Sequence, residues 1–221
     1  RDRHAGGGTN VLGHDNNGSS QQTKRLRISD NLLYDIDKDR WGGNGDFVQV
    51  GAAPRDLYIE RNTVFHDGIA LRIYEGRAPY EIHGLVFRDN LHKHNTYGVK
   101  GEGVNTGMPT ISKFLPGAVI ERNVLAGGPA RQYPPGNYFP SVAEFESQFV
   151  NPSNANFALV PGSVFRTAGP DGRPLGADLS AMDRVMRGIG TDDPERRDLD
   201  PTGPQPERKR GTPRTRPVGL R

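Results

Sequence analysis

A dense group of acidic residues lies in the segment from Asp35 to Asp46, which reads DIDKDRWGGNGD. Hard cations such as calcium take several oxygen ligands from a turning backbone, and Asp stands at positions 1, 3, 5 and 12 of this segment. The segment departs from the EF-hand pattern, because Arg40 replaces the required Gly and Asp46 replaces the bidentate Glu. The alternative is a solvated loop whose carboxylates bond Lys38, Arg40 and backbone amides. The candidate calcium ligands are Asp35, Asp37, Asp39 and Asp46.

A second group of polar residues alternates with apolar ones in short segments typical of β-strands. The alternation points one set inward, namely Val11, Val50, Ile73 and Val99. It points another set outward, namely Gln49, Arg72, Tyr74 and Lys100. Arg72 and Lys100 are candidate catalytic residues that could hold an acidic sugar or supply a base, while Gln49 and Tyr74 are candidate substrate contacts. The alternative is that the two cations form salt bridges with Glu75 and Glu102.

Three further side chains could take part in a site. Trp41 is the only Trp, and beside two glycines it is a candidate stacking surface for a sugar ring; packing across its own loop is the alternative. His92 and His94 are two positions apart, a spacing compatible with metal binding or proton transfer, and His92 is a candidate catalytic residue. The alternative is a corner histidine bonded to backbone. His14 lies in a polar HDNN segment and is either a substrate contact or part of an Asx turn.

The elements that position these residues form a repeat. Four segments share the pattern apolar-x-apolar-x-x-Asn, and their asparagines are 31, 28 and 33 residues apart. Each segment predicts a half-buried strand that ends at Asn, because Asn tolerates turn dihedral angles and bonds its own backbone. The four segments are LRISDN at 26–31, LYIERN at 57–62, LVFRDN at 85–90 and AVIERN at 118–123.

The outward-facing series interleaves with this repeat, so each repeat of about 30 residues is expected to hold two strands. Two short strands cannot bury an apolar face alone, whereas stacked equivalents gain parallel partners. The residue before each Asn alternates in charge, which favours stacking in register because every neighbour is then oppositely charged. Those residues are Asp30, Arg61, Asp89 and Arg122. The sequence therefore predicts an all-β solenoid of parallel strands.

Composition excludes several classes of protein. The chain has 221 residues with 29 Gly and 18 Pro, which favours short strands and turns over long helices. No Cys is present, so disulfides, thiolate nucleophiles and Cys-ligated zinc are excluded. No apolar run is long enough for a transmembrane helix, and no signal peptide is visible after Arg1. No nucleophile elbow, nucleotide-binding loop or zinc protease motif is found.

The repeat predicts three regions. Solenoid coils occupy residues 1–128, a C-terminal cap covers residues 129–186, and a disordered Pro- and Arg-rich tail follows at 187–221. The tail has nine Lys or Arg against six Asp or Glu, a net charge of +3, and the whole chain is also +3, so residues 1–186 sum to zero. A balanced body does not predict a nucleic-acid surface. We expect a monomer.

These motifs resemble the right-handed parallel β-helix proteins of the pectate-lyase-like superfamily. The segments NFALVPGS at 156–163, GPDG at 169–172 and LGAD at 175–178 are similar to the closing part of secreted bacterial members. The resemblance covers about residues 7–185 and suggests that N-terminal coils are missing. It implies a secreted or periplasmic protein that processes polysaccharide as a lyase, with calcium, or as a hydrolase. The alternative is a non-catalytic glycan-binding or surface-structural module.

Overall fold

In this computed structural model, the described residues are 6–14, 21–74 and 81–189, with side chains described up to residue 186. They form four successive coils of three short strands each. The first coil has β1 (Gly7–Leu12), β2 (Lys24–Ser29) and β3 (Leu32–Ile36), and the second has β4 (Asp46–Gly51), β5 (Arg55–Glu60) and β6 (Thr63–His66). The third has β7 (Leu71–Tyr74), β8 (Val86–Arg88) and β9 (Leu91–Lys93), and the fourth has β10 (Val99–Gly101), β11 (Val119–Glu121) and β12 (Val124–Ala126).

Equivalent strands of successive coils pair in parallel and build three sheets. The first sheet contains β1, β4, β7 and β10, the second contains β2, β5, β8 and β11, and the third contains β3, β6, β9 and β12. The predicted parallel solenoid is therefore confirmed, and its architecture is β-helix-like. The prediction of two strands per repeat is wrong, because a third strand begins directly after each repeat Asn.

The corner between the second and third sheets explains the repeat motif. The residue before each Asn adopts a positive φ, between 52° and 58°, which turns the chain sharply in one residue. These residues are Asp30, Arg61, Asp89 and Arg122. The repeat Asn bonds nearby backbone as predicted, because Asn62 Nδ2 donates to the Glu60 carbonyl at 3.1 Å. The left-handed turn, however, is made by the preceding residue and not by Asn itself. Their charges pair as expected: Arg61 bonds Asp30 through two atoms at 2.9 and 2.6 Å, and Arg122 Nε bonds Asp89 at 2.7 Å.

The repeat asparagines form a hydrogen-bonded ladder inside the solenoid. Asn62 donates its backbone N–H and its Nδ2 to Asn90 Oδ1, at 3.0 and 2.9 Å, and Nδ2 also reaches the Ile28 carbonyl. The same pattern joins Asn31 to Asn62 and Asn90 to Asn123. Asn123 donates in turn to Asn137, a fifth rung that lies beyond the sequence repeat. Each coil is thereby fixed in register on the next.

The core lies between the three sheets. The inward residues include Val48, Leu57, Ile59, Val64, Leu71 and Phe87, and all of them are fully buried. Burying one such side chain contributes about 1.5–3 kcal/mol, so a thin core is stabilised by repeating it in every coil. Helix α1 (Lys38–Trp41) lies between β3 and β4, while α2 (Met108–Phe114) follows β10 and packs Phe114 and Ile111 into this core.

From Ser141 to Ala181 the chain packs on the outside of the third sheet. This part contains α3 (Val142–Glu146) and the antiparallel pair β13 (Phe149–Asn151) and β14 (Asn156–Leu159), and α4 (Leu179–Ile189) begins near its end. Phe65 of β6 contacts three rings of this segment, with centroids at 4.7–5.6 Å: Phe145, Phe149 and Phe157. Gly176 N–H donates to the Asp89 carbonyl at 2.8 Å. The C-terminal segment is therefore attached to the side of the solenoid.

Residues up to Ala181 form one compact unit, and the remainder of α4 from Met182 belongs to a second unit. Within the predicted tail, residues 187–189 continue this helix, and the rest of the tail lies outside the described residues. None of the helices described here combines the length and apolar character needed to cross a membrane.

Replacing Asn90 by Ala tests the ladder. Asn90 is fully buried, and its loss leaves the Asn62 backbone N–H without its partner and removes one bond each from Asn62 Nδ2 and the Ile59 carbonyl. We expect a loss of about 2–4 kcal/mol in the free energy of unfolding, measured by urea denaturation. Asn31→Ala is the matched control. Because Asn31 is exposed, this change should lower the free energy of unfolding by about 1 kcal/mol or less. Equal losses for the two variants would contradict the ladder's stabilising role.

Candidate functional site

The outer face of the first sheet brings four polar residues into one row. The register pairs Asn10 with Gln49, Gln49 with Arg72, and Arg72 with Lys100. Tyr74 lies beside the row, 37% exposed, and its hydroxyl donates to Gln49 Oε1 at 3.0 Å. Sequence reasoning identified every member of this row except Asn10, which follows from the same alternation.

Arg72 is held by a fully buried carboxylate. Its Nε donates to Asp46 Oδ2 at 2.5 Å and its Nη2 donates to Asp46 Oδ1 at 3.1 Å. The hydrogen bond to Asp46 raises the pKa of Arg72, so the guanidinium stays charged. Asp46 Oδ1 also accepts from the Ile69 N–H at 2.7 Å, so both of its oxygens are engaged within the protein. The predicted calcium ligand Asp46 and the predicted catalytic Arg72 therefore form one ion pair.

Glu75 and Glu102 were the alternative salt-bridge partners of Arg72 and Lys100. Glu75 lies outside the described residues, so that alternative stays a prediction. Lys100 donates its Nζ to the Val104 carbonyl and lies 5.7 Å from the centre of the Tyr97 ring. Tyr97 is 47% exposed, so it adds a second aromatic ring at this end of the row.

The acidic segment after β3 folds around a short helix. Asp37 caps α1, because its Oδ1 accepts from the N–H groups of Asp39 and Arg40, both at 2.9 Å. Asp35 pairs with Arg40 at 2.7 Å. The cation-capable group found here consists of Asp37, Asp39 and Asp67, whose oxygen atoms lie within 4.8 Å of one another. Asp35 and Asp46 lie outside this group.

Asp67 was missed by sequence reasoning, although the repeat contains the signal. Ile36 pairs with His66 across the third sheet, so Asp37 and Asp67 occupy equivalent places on stacked coils. Asp67 also accepts from the Lys38 backbone N–H at 3.3 Å and lies 3.4 Å from Lys38 Nζ. With one ligand oxygen from each, the three carboxylates supply fewer than the six to eight oxygens that calcium takes, so backbone oxygens or waters would complete such a site.

Trp41 lies at the end of the same segment. Its side chain is 42% exposed, and the Arg40 guanidinium lies 5.0 Å from its ring centre. The acidic segment ends at Asp46, the first residue of β4, which pairs with Gly7 at the start of β1. His14 follows the other end of β1. The structure therefore does not bring His14 to the acidic segment.

His92 lies inside the solenoid, fully buried between Phe47 and Phe87, whose ring centroids are 6.2 and 5.6 Å away. Its Nδ1 bonds the Lys93 carbonyl at 3.0 Å, and its Nε2 has no partner among the described residues. Burial lowers the pKa of His92 to about 3, so the ring is neutral. His94 is also buried and bonds the Tyr133 hydroxyl at 2.7 Å. Neither ring reaches the outer face of the first sheet.

Comparison with protein-family models, with curated proteins and with solved structures finds no match for this chain.

Stability should fall in acid because of the buried histidines. Burial lowers the pKa of His66 to about 4 and that of His92 to about 3, from 6.5. Below pH 6.5 these rings therefore bind protons in the unfolded chain but not in the folded one. Each ring lowers the free energy of unfolding by up to about 1.4 kcal/mol per pH unit. We expect the urea midpoint of the wild type to drop steadily from pH 6.5 towards pH 4.

His92→Phe removes one of these groups while keeping an aromatic ring in the core. Its stability should decrease less steeply over the same pH range, even if its stability at neutral pH is lower. The control is His83→Gln, because His83 is on the surface, with its side chain 51% exposed beside Glu81. A slope unchanged in His92→Phe would show that His92 does not contribute to the acid sensitivity.

Cation binding is expected at Asp37, Asp39 and Asp67. Terbium titration, followed by emission sensitised through Trp41, measures it directly because Trp41 is the only Trp and lies two residues after Asp39. Asp67→Asn removes one charged ligand and should weaken binding about tenfold or more, and calcium should compete. Asp35→Asn is the matched control from the same segment and should bind as the wild type. Weaker binding in the control alone would assign the site to the sequence-predicted set instead.

Proposed function

We propose that the protein binds polysaccharide along the outer face of its first sheet, as a non-catalytic β-helix module. The observation that carries this proposal is the in-register row of hydrogen-bonding side chains, flanked by exposed Tyr74 and Tyr97. We also propose that the chain is a right-handed β-helix related to the pectate-lyase-like superfamily and that it acts outside the cytoplasm. Its repeat of buried corners and outward-facing polar positions supports that lineage.

The spacing of the row suits a chain of sugars. Neighbouring coils lie about 4.8 Å apart, so amide, guanidinium and ammonium groups repeat along the sheet. Such groups bond sugar hydroxyls, and an exposed tyrosine ring offers a flat apolar surface for the sugar's C–H groups. Arg72 is already neutralised by Asp46, whereas Lys100 bonds a neutral carbonyl. The row therefore suits a neutral or an acidic glycan.

Binding is favoured over bond cleavage because the reactive groups are already engaged. General acid or base catalysis needs a side chain within hydrogen-bond reach of the substrate. Both oxygens of Asp46 are bonded within the protein, and His92 is enclosed in the core. Arg72 is fixed by its ion pair and keeps its proton.

A lyase is the second candidate, and the Asp37, Asp39 and Asp67 group favours it. A calcium ion held there would neutralise a uronate carboxylate, and Lys100 of the first sheet would have to be a neutral amine in order to accept the proton. This candidate requires cleavage products that depend on calcium.

Titration against a panel of neutral and acidic polysaccharides, with calcium and then with a chelator, distinguishes the candidates. We expect the wild type to bind without forming products detectable by mass spectrometry. Tyr74→Ala should weaken binding about tenfold, because the exposed ring is lost. Val164→Ala is the control, since Val164 is 66% exposed on the C-terminal segment. Equal binding by Tyr74→Ala and the wild type would contradict the proposed face, and unsaturated products would establish the lyase.

A further inference from the structure

A cleft separates the second-to-third-sheet corner of the solenoid from the C-terminal segment, on a different side from the row of the first sheet. Its volume is about 340 Å³. One wall carries Arg61 and Thr63, and the opposite wall carries Arg166 and Arg173. Its apolar lining includes Leu91, Phe149, Phe157 and Leu175.

The cleft is preformed, because two hydrogen bonds from backbone N–H groups hold its walls together. Ala177 N–H donates to Thr63 Oγ1 at 3.1 Å, and Gly176 N–H donates to the Asp89 carbonyl. Gly176 has a φ of +78°, and a Cβ there would lie 2.5 Å from Thr63 Oγ1 and 2.7 Å from Leu91 Cδ1. Only glycine allows this close approach without displacing the wall.

The segment that carries two of the arginines is also internally bonded. Leu175 N–H donates to the Phe165 carbonyl at 2.9 Å, and Gly169 N–H donates to the Arg173 carbonyl at 2.8 Å. Arg166 donates one Nη1 bond to the Leu159 carbonyl at 3.3 Å, which directs its guanidinium towards β14. The backbone that carries both arginines is thus held by the fold, and the Arg166 guanidinium has one bond to it.

The charges lining the cleft do not cancel. Three arginines line it against two aspartates, Asp30 and Asp178. Asp30 is paired with Arg61 through two hydrogen bonds, and Asp178 caps α4 by accepting from the Ala181 N–H at 2.9 Å. Within the described part of the chain, no carboxylate lies within 4.0 Å of the Arg166 or Arg173 guanidinium. Both groups therefore keep donors available for an anion.

We propose that this cleft binds an organic carboxylate of about monosaccharide size, with Arg166 and Arg173 holding the carboxylate and the apolar lining contacting its body. Guanidinium groups bond carboxylates through paired N–H donors, and the apolar lining favours a ligand that has a body over a bare inorganic anion. Acidic monosaccharides and the acidic units of a polysaccharide share this chemistry. The inference is independent of the glycan row on the first sheet.

Isothermal titration with galacturonate tests the proposal, with galactose as the uncharged counterpart and inorganic phosphate as the bare anion. We expect galacturonate to bind, galactose to bind at least tenfold more weakly, and phosphate to bind more weakly than galacturonate. The Arg166→Gln, Arg173→Gln double variant should lose most galacturonate affinity. Both side chains are exposed, so the fold should be kept, as circular dichroism would verify.

Arg131→Gln, at an exposed arginine outside both the cleft and the row of the first sheet, is the matched control and should bind galacturonate as the wild type does. Loss of binding in this control alone would place the site outside the cleft and overturn the proposal. Equal binding by the double variant and the wild type, or phosphate binding as tightly as galacturonate, would also overturn it. Oligogalacturonate of three units distinguishes the sources: tighter binding than the monomer, lost in the double variant, identifies an acidic glycan, and equal binding identifies a free acid.

Discussion

Three buried asparagines of the ladder each accept two N–H groups from the coil before and donate to the chain on either side: Asn62, Asn90 and Asn123. A buried amide with every group bonded fixes register strongly, because a slip by one residue would leave several polar groups unbonded. The single left-handed residue before it turns the chain into the third sheet. Stacking of the coils, and therefore every feature on the outer faces, depends on this corner.

The register set by the ladder decides which side chains meet on the surface. It places Asp30 beside Arg61 and Asp89 beside Arg122, so like charges never face each other at the corner. It also lines up Gln49, Arg72 and Lys100 on the first sheet. The acidic group forms in the same way, since Asp37 and Asp67 follow paired strands of neighbouring coils.

The C-terminal segment shapes the opposite side of the molecule. Its aromatic rings cover Phe65 and Tyr34 on the outer face of the third sheet, and this apolar contact holds it against the solenoid. The cleft with Arg61, Arg166 and Arg173 arises because the segment meets the corner where Gly176 and Thr63 touch. The row lies on the first sheet, whereas the cleft is lined by the second-to-third-sheet corner and the C-terminal segment, so the two proposed binding surfaces are separate.

The sequence by itself determined the parallel solenoid, the stacking register and the outward row, because the period of two and the Asn spacing are local patterns that stacking must satisfy. Tertiary structure decided what those patterns do not encode. It buried His92 between two phenylalanines, paired Asp46 with Arg72, and brought Asp67 to Asp37 from the next coil. It also decided the third strand of each coil and the position of the C-terminal segment. These outcomes depend on contacts between residues tens of positions apart, and a local pattern carries no information on which distant residue a side chain will contact.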